Sequence, residues 1–456
     1  MKKPFVMDID SCRMAMHVSS RGSDSLTLVY GGGVNSAEIS LPGSKSIAAR
    51  ALILAFIYKY KWRNNREGSI AIEVVNEPEC DDTDELKRAL RQLTEWVKTG
   101  SAYQYDLGSG GTSMRFFLAL VASLPGFKGI IDCSEAMRHR PITPLLTALR
   151  EAGAYIEGDS TPFKVKGRRF RGGDVKVDQT VSSQFVSALM MASLLWEHPW
   201  RNYTPAVVSR PYIEMTRRVM ESFESMAESS EKKIGQNSEN LRFVIEGDWS
   251  AASYYYEFAL LNPGIVVGLR NLSEKDLSLQ GDSRCLEIFG QLGVRSERVE
   301  ENEGNGYDIY CVADKVNAIV MNGYPVEFNL NDEPDLAPAL AVGLCMAGIR
   351  FSISGIEHLR YKESDRIDTL KTELANAGYL LRSESDKLVW DGAVTEVINE
   401  RNPVFDSHND HRIAMALAMA ATRFDSVTIT GAKAITKSYS KFISDINKLG
   451  ILDSIQ

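Results

Sequence analysis

The chain lacks most features that would place it outside the cytosol or beside a nucleic acid. Among 456 residues, cysteine occurs six times. Cys12, Cys80, Cys133, Cys285, Cys311 and Cys345 lie far apart, form no Cys-x-x-Cys pair and sit mostly in apolar runs such as LAVGLCMAG. That pattern excludes disulfide and zinc frameworks and predicts reduced core thiols. No apolar run approaches the roughly 20 residues of a membrane span. The opening stretch MKKPFVMDIDSCRM has neither the apolar core of a signal peptide nor the Arg/Ser-rich character of a transit peptide, so a cytoplasmic location is expected. Positive charge is also short: 52 Lys and Arg against 60 Asp and Glu leave a net charge of −8. A nucleic acid or an anionic membrane as main partner is thereby disfavoured.

Nucleotide and metal motifs are missing as well. GGGV at 31–34 and GSGG at 108–111 lack the G-x-x-x-x-G-K-[ST] or G-x-G-x-x-G context. His17, His139, His198 and His408 form no H-x-x-x-H or H-E-x-x-H arrangement, so neither a metal nor a cofactor is expected. Low-complexity tracts are absent, and 44% hydrophobic with 25% charged residues is ordinary for a globular chain. Its length predicts two domains of about 200 residues each.

What is present is a loose six-fold repeat of one kind of helix start. GSKSIAARALILAFI begins at Gly43, GGTSMRFFLALVA at Gly110, VSSQFVSALMMAS at Val181, WSAASYYYEFALL at Trp249, EPDLAPALAVGLCMAG at Glu333 and NDHRIAMALAMAA at Asn409. Each opens on or beside a small or polar residue suited to capping and runs into a helix apolar on most faces, which predicts six buried inner helices. Between them lie strand-like runs (AIEVVN, FKVKG, RFVIEG, YDIYCVA, FSISGI, SVTITG) and amphipathic helices (PLLTALREAGA, RIDTLKTELANAGY). The pattern is α/β, with βα units repeated about six times.

A helix N-terminus carries unpaired N–H groups and the positive end of the macrodipole, so it favours anions. Six of them converging on one cleft would bind a polyanion in an acidic protein. Plain capping is the competing explanation. Against it, Lys45, Arg50, Arg115 and Arg412 lie in the first turns, where positive charge opposes the dipole and only a bound anion reverses the sign.

Ten ordered segments together resemble the 5-enolpyruvylshikimate-3-phosphate (EPSP) synthase family of enolpyruvyl transferases: LPGSKSIAARAL (41–52), GSGGTSMR (108–115), RHRPITPLLTALREAGA (138–154), VSSQFVSAL (181–189), SRPYIEMT (209–216), EGDWSAASY (246–254), LNDEPDLA (330–337), YKESDRI (361–367), NDHRIAMA (409–416) and KSYSKF (437–442). The resemblance implies a two-domain inside-out α/β barrel with three βαβαββ repeats per domain. Residues 1–43 with 247–456 would form one discontinuous domain and 44–246 the other, with the site in the cleft between. It further implies a cytoplasmic monomer that moves the enolpyruvyl group of phosphoenolpyruvate to the 5-hydroxyl of shikimate 3-phosphate, releases phosphate, and is a target of glyphosate.

Carried over by position, Lys45, Gly111, Arg140 and Lys437 would hold the phosphate of phosphoenolpyruvate, and Arg366 and Arg412 its carboxylate. Ser46 and Arg50 would take the shikimate carboxylate, Ser182, Ser183 and Ser209 the 3-phosphate, and Gln184, Tyr212, His358 and Lys362 the rest of that substrate. Asp335 would be the base toward the 5-hydroxyl. Glu363 is the expected proton donor to the methylene carbon, with Lys362 as the other candidate and Lys45 in the catalytic set. Taken alone, Glu363 and Arg366 would read as a surface i, i+3 pair, and Asp335 or Ser182–Ser183 as caps. His411 reads as structural or as a hydrogen-bond donor acting from behind the residues that touch substrate.

Two positions depart from the family pattern: His358 stands where Asn is common, and Phe116 where Pro is common. The segment 224–240 reads as a surface loop or frayed helical insertion. The alternatives are a UDP-N-acetylglucosamine enolpyruvyl transferase, whose Lys-Asn pair and G-x-C-x-x-G loop are absent here, and a non-catalytic anion-binding paralogue, which would be expected to lose Asp335, Glu363 or Lys437.

Overall fold

A computed structural model describes residues 24–65, 72–101, 103–173, 175–178, 182–198, 200, 209–232, 241–301, 304–395 and 401–454. The leading stretch read for targeting signals, Cys12, Val181 and residues 233–240 lie outside these. The strand-like runs form strands Ile72–Val75, Phe163–Lys166, Leu241–Val244, Gly304–Cys311, Phe351–Ser354 and Val427–Thr430. Their alternation buries one face, as in Phe351–Ser354 where Phe351 and Ile353 point inward.

Four sheets of four strands repeat one plan: a parallel edge pair continued by two antiparallel strands. Val326–Asn329, for example, runs parallel to Phe351–Ser354, followed by Lys387–Trp390 and Arg382–Ser383. In each, the parallel edge strand leads within a few residues into an inner helix, as Ser36–Ser40 leads to Lys45–Asn65 and Val404–Asp406 to His411–Met419. A two-stranded parallel pair, Ile72–Val75 with Leu241–Val244, precedes the helix Trp249–Leu261 in the same way.

The inner helices pack in two triplets. Lys45–Asn65, Gly111–Ala122 and Ser183–Ala192 touch one another, and so do Trp249–Leu261, Ala337–Met346 and His411–Met419. Every residue of Trp249–Leu261 and of Ala337–Met346 is buried, as helices without a polar face require. Each triplet centres a separate hydrophobic cluster, one from Leu28, Ile39 and Leu41 together with residues from Trp249 onward, the other from Ile47 to Ile245. Cys80, Cys133, Cys285, Cys311 and Cys345 are free and buried. Residues 224–232 continue the helix Arg210–Lys232 rather than forming a loop. Among the described residues no helix is long and apolar enough to cross a membrane, and no three His, Cys, Asp or Glu side chains group as metal ligands do.

The chain passes between the clusters twice, side by side. Gly43 and Gly247 form an isolated antiparallel bridge, flanked by Ser44 N–H donating to the Glu246 carbonyl (2.8 Å) and Asp248 N–H to that of Pro42 (2.9 Å). A Cβ on Gly43 would stand 1.9 Å from the Asn76 carbonyl oxygen, and one on Gly247 2.4 Å from that of Asn271. Either Gly43→Ala or Gly247→Ala should therefore force the backbone to shift and cost about 1–3 kcal/mol, as overpacking does. Thermal unfolding of the two variants measures it.

Candidate active site

The N-terminal ends of five inner helices open on one cleft between the triplets. Lys45, Ser46 and Arg50 come from the first helix, Thr112 and Arg115 from the second, and Ser182, Ser183 and Gln184 from the start of the third. Facing them are Asp335, in the turn Pro334–Leu336 before the fifth helix, and His411 and Arg412 from the sixth. Arg140, Ser209, Tyr212, His358, Lys362, Glu363 and Arg366 close the wall from intervening segments. The fourth helix sends nothing to the surface, but its Ser250 stands behind Arg412.

Cap and site turn out to be one arrangement. Asp410 caps its helix, accepting from the Arg412 N–H (2.9 Å), and the same buried carboxylate accepts from Arg366 Nε at 2.8 Å. Ser182 caps by accepting from Gln184 N–H (3.2 Å) while lining the cleft.

Two carboxylates organise the cations. Glu363 meets Arg140 (3.2 Å), Arg366 (2.8 Å) and Lys437 (3.5 Å). Asp335 accepts from Arg366 (2.9 Å), Arg412 (2.8 Å) and the Tyr212 hydroxyl (2.8 Å), with Lys362 at 3.6 Å. Burial pushes both carboxyls up, yet the surrounding cations outweigh it and hold both well below the usual range, Arg412 leading for Asp335 and Arg140 for Glu363. Burial lowers Lys362, against the pull of Asp335. Glu363 and Arg366 are thus a buried pair, not a surface one, and Asp335 is a clamped anion rather than a cap.

Arg50 and Arg115 differ from the other cations. Arg50 is 1% exposed and its donors go to neutral oxygens: Thr216 Oγ1 (2.7 Å), the Ser46 carbonyl (2.7 Å), the Tyr212 carbonyl (3.1 Å) and Ser187 Oγ (3.3 Å). Arg115, 2% exposed, donates to Gln184 Oε1 (2.5 Å) and the Pro141 carbonyl (2.7 Å), and its Nε has no partner. Burial lowers Arg50 to about 10 and Arg115 to about 9. Buried guanidiniums without a carboxylate are costly unless a ligand supplies the anion.

Two of the phosphate-site residues expected from the sequence lie just off this wall. Lys437 lines a neighbouring cavity that shares Arg140 and Glu363 with the cleft. Gly111 lies under two guanidiniums, and a Cβ there would meet Arg140 Nη1 at 2.6 Å and Arg115 Nη1 at 2.9 Å. Sequence reasoning missed Asp82, which pairs with Lys45 at 2.9 Å, and Asp410, which holds Arg366; His411 lines the cleft. Asp82 sits in the run DDTDE, which reads as an ordinary acidic first turn and carries no sign of a partner 37 residues earlier.

A deep cationic cleft between two triplets of buried helices, with ionised carboxylates inside it, defines a two-domain inside-out α/β protein built to hold anions. An EPSP synthase structure from Acinetobacter baumannii shares this fold, with a TM-score of 0.62 and 19% identity over 94% of this chain and 98% of that one. Residues 29–446 match the family model for EPSP synthase (3-phosphoshikimate 1-carboxyvinyltransferase). Relatives named 3-phosphoshikimate 1-carboxyvinyltransferase include one from Bacteroides fragilis strain YCH46, 35% identical over 91% of this chain and 95% of its own length. Another, from Syntrophobacter fumaroxidans, is 33% identical over 91% and 97%. The chain belongs to the EPSP synthase family.

His358 is held at about 3, chiefly by burial and then by Lys362, and its Nε2 has no hydrogen-bond partner. Its folded pKa is below the unfolded value near 6.5, so the unfolded chain takes the proton first and stability falls as pH drops from about 6.5 toward 3. His358→Asn should remove a loss of about 1–2 kcal/mol between pH 6.5 and 5, read from denaturant midpoints at the two pH values.

Proposed function

We propose that this chain transfers the enolpyruvyl group of phosphoenolpyruvate to the 5-hydroxyl of shikimate 3-phosphate, releasing phosphate. One observation carries the reading beyond family membership: Arg50 and Arg115 are buried in the cleft with only neutral partners, while the cations around them are neutralised by carboxylates that ligand anions can displace.

In this reading the shikimate carboxylate meets Ser46 and Arg50. Its 3-phosphate goes to the hydroxyls of Ser182, Ser183 and Ser209, with Gln184, Tyr212, His358 and Lys362 around the ring. The phosphate of phosphoenolpyruvate takes Lys45, Arg140 and Lys437 beside Gly111, and its carboxylate takes Arg366 and Arg412, whose planar forks suit it. Residues 1–43 with 247–456 and residues 44–246 act as two lobes holding the pair between them. No part of this scheme calls for a metal, a cofactor, a second subunit, a nucleic acid or a membrane, and it fits a cytoplasmic monomer.

Charge exchange then sets the chemistry in order. With the cleft empty, Asp335 is a poor base because Arg412, Lys362 and Arg366 hold its charge. Arrival of the phosphoenolpyruvate carboxylate gives Arg366 and Arg412 a second anion, which raises the basicity of Asp335 toward the 5-hydroxyl. Arrival of the phosphate does the same for Glu363 by engaging Arg140 and Lys437, so that Glu363 can carry a proton to the methylene carbon. Protonation there leaves oxocarbenium character on the neighbouring carbon, and the hydroxyl attacks it. The tetrahedral ketal phosphate then loses phosphate, and a proton from the methyl group, to restore the enol ether. Lys362 is the second candidate for proton transfer.

Phosphate release from phosphoenolpyruvate should appear with shikimate 3-phosphate and not with UDP-N-acetylglucosamine; release with neither overturns the transferase reading in favour of an anion-binding paralogue. Asp335→Asn should lower kcat by about 100-fold or more with both KM values largely kept, as for a lost general base. Arg412→Ala should raise KM for phosphoenolpyruvate far more than for shikimate 3-phosphate. An equal rise in both contradicts the carboxylate assignment.

A further inference from the structure

We infer that Asp282, which does not line the cleft, is a positioning residue that holds Arg412 through the Ser250 hydroxyl. The inference rests on the reading of Arg412 as the carboxylate-binding arginine and adds residues that reading does not contain.

Asp282 lies in the turn Gly281–Arg284 and is 3% exposed. The Ser250 hydroxyl donates to its Oδ2. Arg412 Nη2 in turn donates to Ser250 Oγ at 3.4 Å and to Asp335 Oδ2 at 2.8 Å. Tyr212 donates to the same Asp335 oxygen from the opposite lobe. One polar chain therefore runs from Asp282 through Ser250 and Arg412 to the proposed base.

Direction is what makes Asp282 matter. A serine hydroxyl has one proton and two lone pairs. With the proton given to the carboxylate, the lone pairs are left for the guanidinium, and Arg412 Nη2 reaches Ser250 Oγ and Asp335 Oδ2 together. Asn in place of Asp282 keeps the shape but can present N–H groups to Ser250 Oγ, which occupies a lone pair there and turns the serine proton toward another acceptor. Arg412 then loses the acceptor that sets its angle.

The loop that carries Asp282 is also anchored to both lobes. Gln280 accepts from the Trp249 N–H (3.0 Å) and donates to Glu246 Oε1 (3.0 Å) and the Gly247 carbonyl (2.8 Å), beside the double crossing. From the other lobe, Arg218 donates to the carbonyls of Ser278 (2.6 Å) and Leu277 (3.1 Å). Pro211 packs so closely that a Cβ on Gly281 would lie 2.4 Å from its own Cβ. Asp282 thus stands where the contact between lobes meets the support of the substrate-binding arginine.

The test is steady-state kinetics on Ser250→Ala, Asp282→Asn and the double variant of the full chain, with thermal midpoints measured alongside. Each single change should raise KM for phosphoenolpyruvate about tenfold, the scale of one hydrogen bond to a charged group, and leave KM for shikimate 3-phosphate within about twofold. The double variant should fall short of the sum of the two single effects, because Asp282 and Ser250 share one hydrogen-bond chain to Arg412. Additive effects, an equal rise in both KM values, or an unchanged KM for phosphoenolpyruvate in Ser250→Ala overturn the inference. Should Asp282→Asn fail to fold, Ser250→Ala decides alone. A selective effect of Arg412→Ala with none from Ser250→Ala sinks this inference and spares the function, whereas loss of selectivity in Arg412→Ala sinks the assignment on which both rest.

Discussion

Positive charge held out of water is the constraint on which this molecule turns. Arg50, Arg115, Arg366 and Arg412 are each less than a tenth exposed, and so is Lys437. Taking such groups out of water costs several kcal/mol apiece unless an anion compensates. The fold meets that cost internally for most of them, through Asp335, Glu363 and Asp410, and leaves Arg50 and Arg115 with neutral acceptors. The internal carboxylates balance these cations within the cleft itself.

An acidic protein can sustain such a chamber because the positive potential is local. Helix N-termini contribute partial charge only within about a turn, and the net surplus of acid elsewhere is screened within roughly 10 Å. The small-residue starts of the inner helices serve the same end. At Gly111, hydrogen in place of a side chain leaves room for two guanidiniums to lie against the backbone, so the glycine is explained by its neighbours and not by its own torsion angles.

Much of this was legible in the linear chain. The repeated helix starts, apolar all round after a polar opening, correspond to the six buried helices, and cations placed against the dipole marked the ends that face the cleft. The six strand-like runs fell on strands. Other features left no local trace. The Arg140–Glu363 contact joins residues 223 positions apart, and the Tyr212–Asp335 bond spans 123. Spacing rules reach only a few residues, so spacing alone reads Glu363–Arg366 as a surface pair, and only the family resemblance carried the two into the site. His408 and Asn409 adopt positive φ, 51° and 56°, just before Asp410, a bend that brings that carboxylate to cap and site at once. Asp82 stayed hidden because an acidic first turn is what any helix favours.

The double crossing at Gly43 and Gly247 has a consequence for synthesis. Strand Ser25–Tyr30 lies between Val427–Thr430 and Ile451–Asp453, and Thr27 meets Thr428, 401 positions further along the chain. At translation speeds of roughly 5–20 residues per second, that strand leaves the ribosome roughly 20–80 s before any partner exists for it. The hydrophobic cluster that runs from Ile47 to Ile245 is complete well before then. A nascent chain of this topology therefore carries an orphan β-strand ahead of a finished lobe, and that unpaired edge is the segment a ribosome-associated chaperone has most reason to shield.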